Sequence, residues 1–493
     1  MKGDLLLLLP VLLPVAGGLL TGLCPAFKNR AARCSLVLAT LLLSAAAAVW
    51  AALGAGTSLV LFQLTKDIPV LLKIDDLARF FVILVSAVWT LVGIYSFEYM
   101  KHENNEPRFY AFYLVTLGVL MGLCTAGNIV TLYMFYELMT LMTLPLVLHT
   151  MKKEAVAAGI KYLIYSVFGA SAALLGIFFL NKYCGSLFFV AGGTLNSALV
   201  AGNEGTLLVI LFLMILGFGT KAGMFPMHGW LPTAHPAAPA PASAVLSGVI
   251  TKMGVLAIIR VVFYMVGADF LRGTWVQTAW TALALITVFM GSMLALKENV
   301  LKKRLAYSTV SQVSYILFGL STLTPAGFVG ALLHVLFHSA IKDTLFMASG
   351  AVISKTGKTD VSDLRGIGRQ MPIVMTLFTV VSFGLIGIPP TGGFISKWYL
   401  ATGALSTGGA YAWIGPAVLL VSAILTAAYL LTISIRGFFP GADFDASALE
   451  KKEPTAVMWA PMLVLALVTV VLGMFPGELI AFFTKIATSL SLV

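Results

Sequence analysis

Charge is scarce in this 493-residue chain. Only 10% of its residues are Asp, Glu, Lys or Arg, whereas 59% are hydrophobic and the mean hydropathy is +0.98. Too few polar side chains are present to cover a water-exposed surface, so an ordinary soluble fold is excluded. The longest polar stretches, around 56–78 and 437–456, have room for a hairpin or a surface helix but not for a separate core. We therefore predict an all-α integral membrane protein without a catalytic extramembrane domain.

Cysteine is also rare, and the sequence shows no motif for binding a metal, a nucleotide or haem. The chain has four cysteines, and they are scattered without the close spacing of a metal or redox motif. A nucleotide-binding loop and a haem-attachment spacing are absent as well. We expect no cofactor and no metal, and any energy that drives this protein must come from a redox partner or from another ion's gradient.

Long apolar runs are abundant instead. We count about fourteen stretches of roughly 20 residues, the length that crosses about 30 Å of hydrocarbon. They lie near 5–23, 34–55, 79–98, 109–126, 128–150, 157–182, 206–225, 237–265, 277–296, 305–320, 326–352, 372–406, 411–436 and 457–477. The first stretch lacks a cleavage signal, which predicts a retained helix rather than a signal peptide.

The formal net charge of +11 does not indicate a nucleic-acid partner, because the basic residues lie in short connections between spans. Loops after odd-numbered spans hold most of them: Lys28, Arg30, Arg33, Lys101, Arg108, Lys152, Lys153, Lys302, Lys303, Arg304, Lys355, Lys358, Arg365, Arg369, Arg436, Lys451 and Lys452. Loops after even-numbered spans hold chiefly Lys66, Lys73, Lys182 and Arg272. The positive-inside rule then predicts a multi-pass protein of the cell inner (cytoplasmic) membrane with both termini outside.

The segment from Gly219 to Gly254 is the most informative. It places Lys221, Lys252, His228 and His235 in apolar sequence, together with Pro226, Pro232, Pro236, Pro239 and Pro241. Each proline removes a backbone donor, so a helix here must break at membrane depth. Broken helices with ionisable side chains form ion paths in membrane proteins. A similar but weaker pattern recurs later in the chain, where Pro389 and Pro390 precede Lys397. Two corresponding interrupted spans indicate an inverted-repeat transporter.

Several ionisable side chains are too deep in apolar runs to reach the membrane surface. Glu137 lies in the middle of its run and needs a partner or a proton, because a bare carboxylate there costs several kcal/mol; Lys221 is the natural partner. Lys221, Lys252 and Lys397 are candidate proton relay stations, because a desolvated lysine exchanges its proton more readily. The alternative for each residue is a structural ion pair or helix contact.

His334, His338 and Lys342 are spaced i, i+4 and i+8, so they form one stripe of a helix. This pattern fits a proton relay, a metal or haem ligand pair, or a helix contact. His228 and His235 suit proton transfer between bulk water and Lys252, or hydrogen bonds to loop carbonyls. Polar side chains that can bind water between the stations are Tyr133, Tyr136, Ser166, Thr220, Ser243, Ser247, Ser308, Thr309, Ser311, Gln312 and Ser314.

Together, Glu137 in its apolar helix, the block from Lys221 to Lys252, and the stretches HSAIKDTLF and GGFISKWYL resemble the antiporter-like membrane subunits of respiratory complex I, Mrp-type Na+/H+ antiporters and membrane-bound hydrogenases. The resemblance covers nearly the whole chain. It implies fourteen helices with two inverted five-helix repeats and two discontinuous helices, broken near 226 and 390. The implied division is N-terminal helices in 1–108, repeats in 109–265 and 277–436, and a loop with a C-terminal transmembrane helix in 437–493.

The resemblance also implies roles for the ionisable residues. Glu137 and Lys221 would form a coupling pair, Lys252 the central station and Lys397 the exit-side station, with the proton passing Lys252 and His338 on its way. The chain is then expected to be a non-catalytic, proton-translocating subunit of an NADH dehydrogenase, hydrogenase or Mrp antiporter. Its partners would be other integral membrane subunits and lipid, and whether Na+ is exchanged for H+ stays open.

Two features refine this resemblance. The longest complex I paralogue has a lateral helix after its last spans, which we do not expect here because the sequence stops at Val493. Position 397 is Lys where one paralogue has Glu, so the sequence resembles the shorter complex I paralogues or the D polypeptide of Mrp antiporters. Asp343 replaces the small apolar residue expected there; it either competes for a partner of Lys342 or faces another helix. The alternative functions are a redox subunit in which His334 and His338 hold a cofactor or which binds quinone, and an autonomous cation/proton antiporter.

Overall fold

The computed structural model describes residues 4–54, 57–445 and 449–492. Twelve helices within these residues are long and apolar enough to cross a membrane, which confirms the multi-pass helical architecture. Met1–Gly3 and Val493 lie outside the described residues, so the predicted outside location of both termini stays a prediction.

The α-helices follow one another closely along the chain. In order they are α1 Leu9–Leu23, α2 Arg30–Leu53, α3 Asp76–Tyr99, α4 Glu106–Cys124, α5 Ile129–Val147, α6 Lys153–Tyr183, α7 Ser197–Val200, α8 Glu204–Ala222, α9 Leu231–Ala237, α10 Ala240–Val245, α11 Thr251–Ile259, α12 Ala268–Leu271, α13 Trp275–Lys297, α14 Leu301–Ser321, α15 Pro325–Thr356, α16 Ile367–Gln370, α17 Pro372–Ile386, α18 Gly392–Leu405, α19 Gly409–Phe438, α20 Ala456–Met474 and α21 Gly477–Ser489. Short 3₁₀ turns are Asp4–Leu8, Pro25–Lys28, Met100–His102 and Val361–Leu364.

Two predicted spans are not among the twelve. Helix α14 has 21 residues but begins with Lys302, Lys303 and Arg304 and is rich in hydroxyls. The apolar stretch 372–406 is divided into α17 and α18, of 15 and 14 residues, neither of which crosses a bilayer alone. Fourteen spans therefore remain a prediction, and the break near 390 is present.

The two discontinuous elements are broken in the same way. Helix α8 ends at Gly223 and α17 at Gly387, and both glycines have left-handed backbone, with φ of 78° and 93°. A left-handed residue after the last turn lets its N–H bond back to the helix, and glycine adopts it without a steric penalty. Each break leaves helix carbonyls without an intrahelical donor at membrane depth, where a cation is favoured.

The segment Ala240–Val266 is continuous but not uniformly α-helical. It contains π-helical segments at Leu246–Ile250 and Arg260–Val266, on either side of α11. Lys252 follows the first of them. Wider π turns change which side chains and carbonyls meet, and they occur often at functional sites.

The fold also has elements that the all-α expectation omits. Strands β1 Ser58–Gln63 and β2 Pro69–Lys73 form an antiparallel hairpin within the polar stretch 56–78. In the region expected to hold only a loop and a transmembrane helix, the span α20 is followed by the amphipathic helix α21, whose Lys485 pairs with Asp76 at 2.9 Å.

Helix α15 lies at the centre of the molecule. It packs against α3, α10, α14, α17, α18, α20 and α21. Its 32 residues make it about 48 Å long, which is more than the hydrocarbon thickness. The histidine and lysine stripe that it carries is therefore surrounded by helices from both halves of the chain.

Candidate functional site

Lys221 lies in the last turn of α8 and is surrounded by hydroxyl groups. Its ammonium donates to Thr140 Oγ1 at 2.9 Å, to the Tyr162 hydroxyl at 2.8 Å and to Ser166 Oγ at 2.8 Å. An ammonium has three hydrogens, so all three are satisfied although the side chain is only 1% exposed. The Tyr162 hydroxyl continues to Thr143 at 2.6 Å. Hydroxyls of α5 and α6 thus hold this lysine.

Glu137 lies one turn before Thr140 on α5 and is partly buried. The ion pairs of the described residues do not include it. Glu137 and Lys221 nevertheless interact electrostatically, and Tyr133 lies beside the carboxyl. The neighbouring Leu138 is 39% exposed, so α5 presents Glu137 at the edge of the bundle. The predicted pair therefore interacts through its charges, without a direct ion pair.

Lys252 and His338 are in direct contact at the centre of the fold. Lys252 Nζ lies 2.6 Å from His338 Nδ1 and donates to the Ser247 carbonyl at 2.5 Å. Both side chains are 0% exposed. Because the carbonyl belongs to the π-helical segment Leu246–Ile250, the irregular backbone helps to position the ammonium against the ring.

The polar contacts continue from His338 toward Lys397. The His334 ring lies 5.9 Å from the His338 ring and is stacked on Tyr315 at 5.4 Å. His334 Nδ1 is 2.9 Å from Ser396 Oγ, and the ammonium of the next residue, Lys397, lies 5.1 Å from the centre of the Tyr315 ring. The sequence-predicted residues Lys252, His338, His334 and Lys397 therefore form one connected series.

Lys397 occupies the second break. Its ammonium donates to the carbonyls of Leu385 and Ile386 at 2.6 and 2.8 Å, immediately before Gly387. These carbonyls are at the carboxyl end of α17, where the helix has no further donor and its dipole is negative. The lysine therefore compensates for the interrupted helix, and it is only partly buried.

Lys342 begins a second series of hydrogen bonds, which leads toward α19. It donates to Ser308 Oγ at 2.6 Å and to the Leu305 carbonyl at 3.2 Å. Ser308 is 2.6 Å from the Tyr429 hydroxyl, which is 3.3 Å from Thr426 Oγ1. Lys342 and His334 lie on the same stripe of α15, and both contact α14, through Ser308 and Tyr315.

The two histidines of the proline-rich segment contact aromatic rings but have fewer hydrogen-bond partners than the histidines of α15. His235 is 0% exposed and stacks on Phe346 at 4.6 Å, but neither of its ring nitrogens has a hydrogen-bond partner within the described residues. His228 is partly buried beside Phe225. Buried polar nitrogens ordinarily bind water when protein partners are missing, so His235 is a suitable binding point for internal water.

A polar cavity of about 430 Å³ opens beside His235, at the loops that follow α3, α5 and α13. Its lining includes Glu103, Lys152, Pro239 and Lys302. Burial raises the pKa of Glu103, only partly offset by the ammonium groups of Lys302 and Lys152. Lys302 was counted among the basic loop residues that set the orientation in the membrane. The residue is instead only 7% exposed and donates to the carbonyl of Ala238, three residues after His235.

Arg260 was missed by the sequence reasoning, although it interrupts an apolar span as clearly as Lys252. Its side chain is 2% exposed and forms a two-bonded ion pair with Asp75, at 2.5 and 2.9 Å, between the Phe189 and Tyr264 rings. Burial raises the pKa of Asp75, but the guanidinium outweighs burial and holds that pKa below its usual value. This pair joins the segment before α3 to the second π-helical segment and is structural.

Some hydroxyl partners were also missed: Thr140, Thr143, Tyr162, Ser292, Tyr315, Ser396, Ser422 and Tyr429. The sequence does contain a pattern that could have identified them: pairs of hydroxyl residues spaced i, i+3 or i+4 inside apolar helices. Examples are Thr140 with Thr143 and Tyr162 with Ser166.

The sequence matches known families over most of its length. Residues 126–426 match the family described as "NADH:quinone oxidoreductase/Mrp antiporter, TM", and residues 63–110 match "NADH-Ubiquinone oxidoreductase (complex I), chain 5 N-terminus". NADH-quinone oxidoreductase subunit N of Desulforudis audaxviator is 34% identical over 83% of each chain. The Na(+)/H(+) antiporter subunit A1 of Staphylococcus aureus is 31% identical over 85% of this chain, which spans 54% of that subunit.

Solved structures share the fold at low sequence identity. A chain of the Mrp complex from Dietzia sp. aligns with a TM-score of 0.86 at 22% identity and covers 99% of this chain and 98% of its own length. A chain of respiratory complex I from Thermus thermophilus aligns with a TM-score of 0.82 at 23% identity, over 99% of both chains.

Proposed function

Because this chain belongs to the NADH:quinone oxidoreductase/Mrp antiporter family of membrane subunits, we propose that its connected Lys, His and hydroxyl side chains carry protons across the membrane. The family membership confirms the resemblance drawn from the sequence, and the chain is an antiporter-like membrane subunit. The observation that carries the proposal is the row of neighbouring side chains Lys252, His338, His334, Tyr315 with Ser396, and Lys397, in which water would bridge the steps longer than a hydrogen bond.

The first half of the path is the Glu137 and Lys221 group. Charges about 4 Å apart interact by ~4 kcal/mol at an effective dielectric near 20, and the interaction falls with distance. Movement of Glu137 toward or away from Lys221 therefore changes how firmly Lys221 holds its proton. Its position at the edge of the bundle suits a partner subunit, which would transmit the driving force to this carboxylate.

The second half runs from Lys252 to Lys397. The cavity beside Glu103 and Lys302 supplies water near His235, on the face that the basic loops predict to be inside. From there a proton reaches Lys252, passes His338 and His334, and leaves from Lys397 at the break between α17 and α18. The fourth of five helical elements is broken in each of 109–265 and 277–436, which supports the two inverted repeats.

Two alternatives receive less support. The family match over residues 126–426 favours proton relay over cofactor binding by His334 and His338. An autonomous antiporter would need its own source of energy, and the path described here only conducts or stores protons. We propose that other integral membrane subunits supply the driving force.

Reconstitution tests this function. The purified chain, alone and with its co-purified subunits, is placed in liposomes containing a pH-sensitive dye, and Na+ and K+ gradients are imposed in turn. We expect no gradient-driven proton movement from the chain alone and clear movement from the assembly. Robust cation-driven proton movement by the lone chain would show an autonomous antiporter instead.

A further inference from the structure

Asp343 is a fully buried carboxyl group that the path described above does not use. It is 0% exposed, and neither carboxyl oxygen has a hydrogen-bond partner within the described residues. An ionised carboxylate in such a place is costly unless a cation compensates it. A residue of this kind in a membrane helix therefore has either a proton or a nearby positive charge.

Asp343 does not compete for the hydrogen-bond partners of Lys342, so of the two alternatives from the sequence it faces another helix. Lys342, its neighbour in the chain, points toward Leu305 and Ser308. Asp343 instead faces Gly248 in the first π-helical segment: a methyl carbon added to Gly248 would lie 1.9 Å from Asp343 Oδ2 and 2.4 Å from Oδ1. The absence of a side chain at Gly248 is what allows the carboxyl to reach this backbone.

This backbone is also the one that holds Lys252. The Lys252 ammonium donates to the carbonyl of Ser247, the residue before Gly248. Ser339, one turn before Asp343 on α15, donates to the Gly248 carbonyl at 2.5 Å. The carboxyl and the ammonium thus approach the same two residues of the π-helical segment, and their charges interact.

The other groups around Asp343 do not compete for it. Tyr113 of α4 is within electrostatic range but donates its hydroxyl to the Trp89 carbonyl. Tyr95 of α3 donates to the Met347 carbonyl. On α15 itself, His338 is turned toward Lys252. Lys252 is therefore the cation that faces Asp343.

We propose that Asp343 is a second proton-carrying carboxyl of this subunit, and that it sets the charge of Lys252 as Glu137 does for Lys221. When the carboxyl O–H of Asp343 forms, one proton is taken up and the negative charge beside Lys252 is lost. The Lys252 N–H bond then breaks toward His338 Nδ1, so one proton is passed on and the total charge is conserved. This role rests on the proton-translocating function proposed above.

Infrared spectroscopy of the assembled complex, titrated with pH, tests the pairing separately from transport. We compare wild type with Asp343→Asn, Lys252→Met and the control Ser349→Ala, whose hydroxyl on the same helix donates a hydrogen bond to the Phe346 carbonyl. We expect a protonated-carboxyl band that Asp343→Asn lacks. In Lys252→Met, the pH at which this band disappears should rise by at least about one unit, a tenfold change in proton affinity. The control should match wild type.

The possible results distinguish a failure of the Asp343–Lys252 pairing from a failure of the proposed function. Identical carboxyl spectra in wild type and Asp343→Asn, or an unchanged band in Lys252→Met, would overturn the proposal. If Asp343→Asn does not assemble, the Lys252→Met titration still decides, since Asp343 is intact there. Proton transport should fall about tenfold or more in Asp343→Asn, as expected from one pKa unit of lost coupling. If the wild-type complex moves no protons but the band behaves as expected, the proposed function fails while the Asp343–Lys252 pair stands.

Discussion

The ammonium of Lys252 lies 2.6 Å from Nδ1 of His338, and both side chains are completely buried. A protonated lysine and a neutral imidazole at this distance share one proton between two bases, so a small change in the local charge moves it from one to the other. Helix α11 supplies the lysine and helix α15 the histidine. This contact therefore begins the second half of the path.

Glu137→Gln should abolish proton-coupled transport and leave assembly intact. Glutamine keeps the shape of the side chain, but it has no charge to influence Lys221. Transport by the purified assembly and subunit content on gels measure both effects. Glu154→Gln, on the exposed start of α6, is the matched control. Near-normal transport in Glu137→Gln would remove this residue from the path.

Tyr162→Phe should weaken transport, because it removes one of the three hydroxyls that hold the Lys221 ammonium. A lost hydrogen bond to a buried charge costs about 1–3 kcal/mol. Proton transport and thermal unfolding of the variant measure the loss. Tyr183→Phe on the same helix, whose ring stacks on Phe179, should behave like wild type; equal effects of both changes would count against the hydroxyl cluster.

Lys397→Ala should block transport and destabilise the break, since the Leu385 and Ile386 carbonyls lose their donor. Lys397→Glu should retain part of the transport, because a protonated carboxyl can still donate to one carbonyl and can exchange its proton. Rates of both variants in liposomes test this difference. If they are equally impaired, position 397 is structural rather than a proton station.

The Asp75–Arg260 ion pair should make stability depend on pH. Because Arg260 holds the folded-state pKa of Asp75 below its usual value, the pair stabilises the fold above the unfolded pKa, and this stability is lost as the pH falls through the folded pKa. Asp75→Asn should cost ~3 kcal/mol at neutral pH and remove that part of the acid dependence. Thermal unfolding at several pH values measures it, and Asp269→Asn, with an 82% exposed side chain, should show little change.

The sequence predicted the ionisable residues better than their partners. Lys221, Lys252, His338 and Lys397 are conspicuous because each interrupts an apolar run. Which atoms they contact depends on helix packing between distant parts of the chain, so the pairing of Lys221 with Thr140 and Tyr162 and the approach of Asp343 to Gly248 were not predictable. The cost of burial signals that a partner exists but does not identify it.

The sequence likewise predicted the membrane spans of the fold better than the elements between and after them. Hydropathy finds spans such as α5 and α20, and the prolines locate the breaks near 226 and 390. The stretch 56–78 allowed a hairpin or a surface helix, and its contacts with the rest of the fold decide between them. The surface helix α21 was missed although Gly477–Ser489 has an amphipathic pattern. The role of Arg260 could have been suspected from its position within an apolar span.

The most direct test of the account is proton flux through the assembled complex in liposomes with Lys252 replaced by methionine. Methionine fills similar space without a titratable group, and Lys358→Met, in the loop after α15, serves as the control. With an imposed membrane potential and an internal pH dye, we expect the Lys252 variant to lose at least about tenfold of the wild-type flux while the control keeps it. Wild-type flux in correctly assembled Lys252→Met would contradict the proposed path.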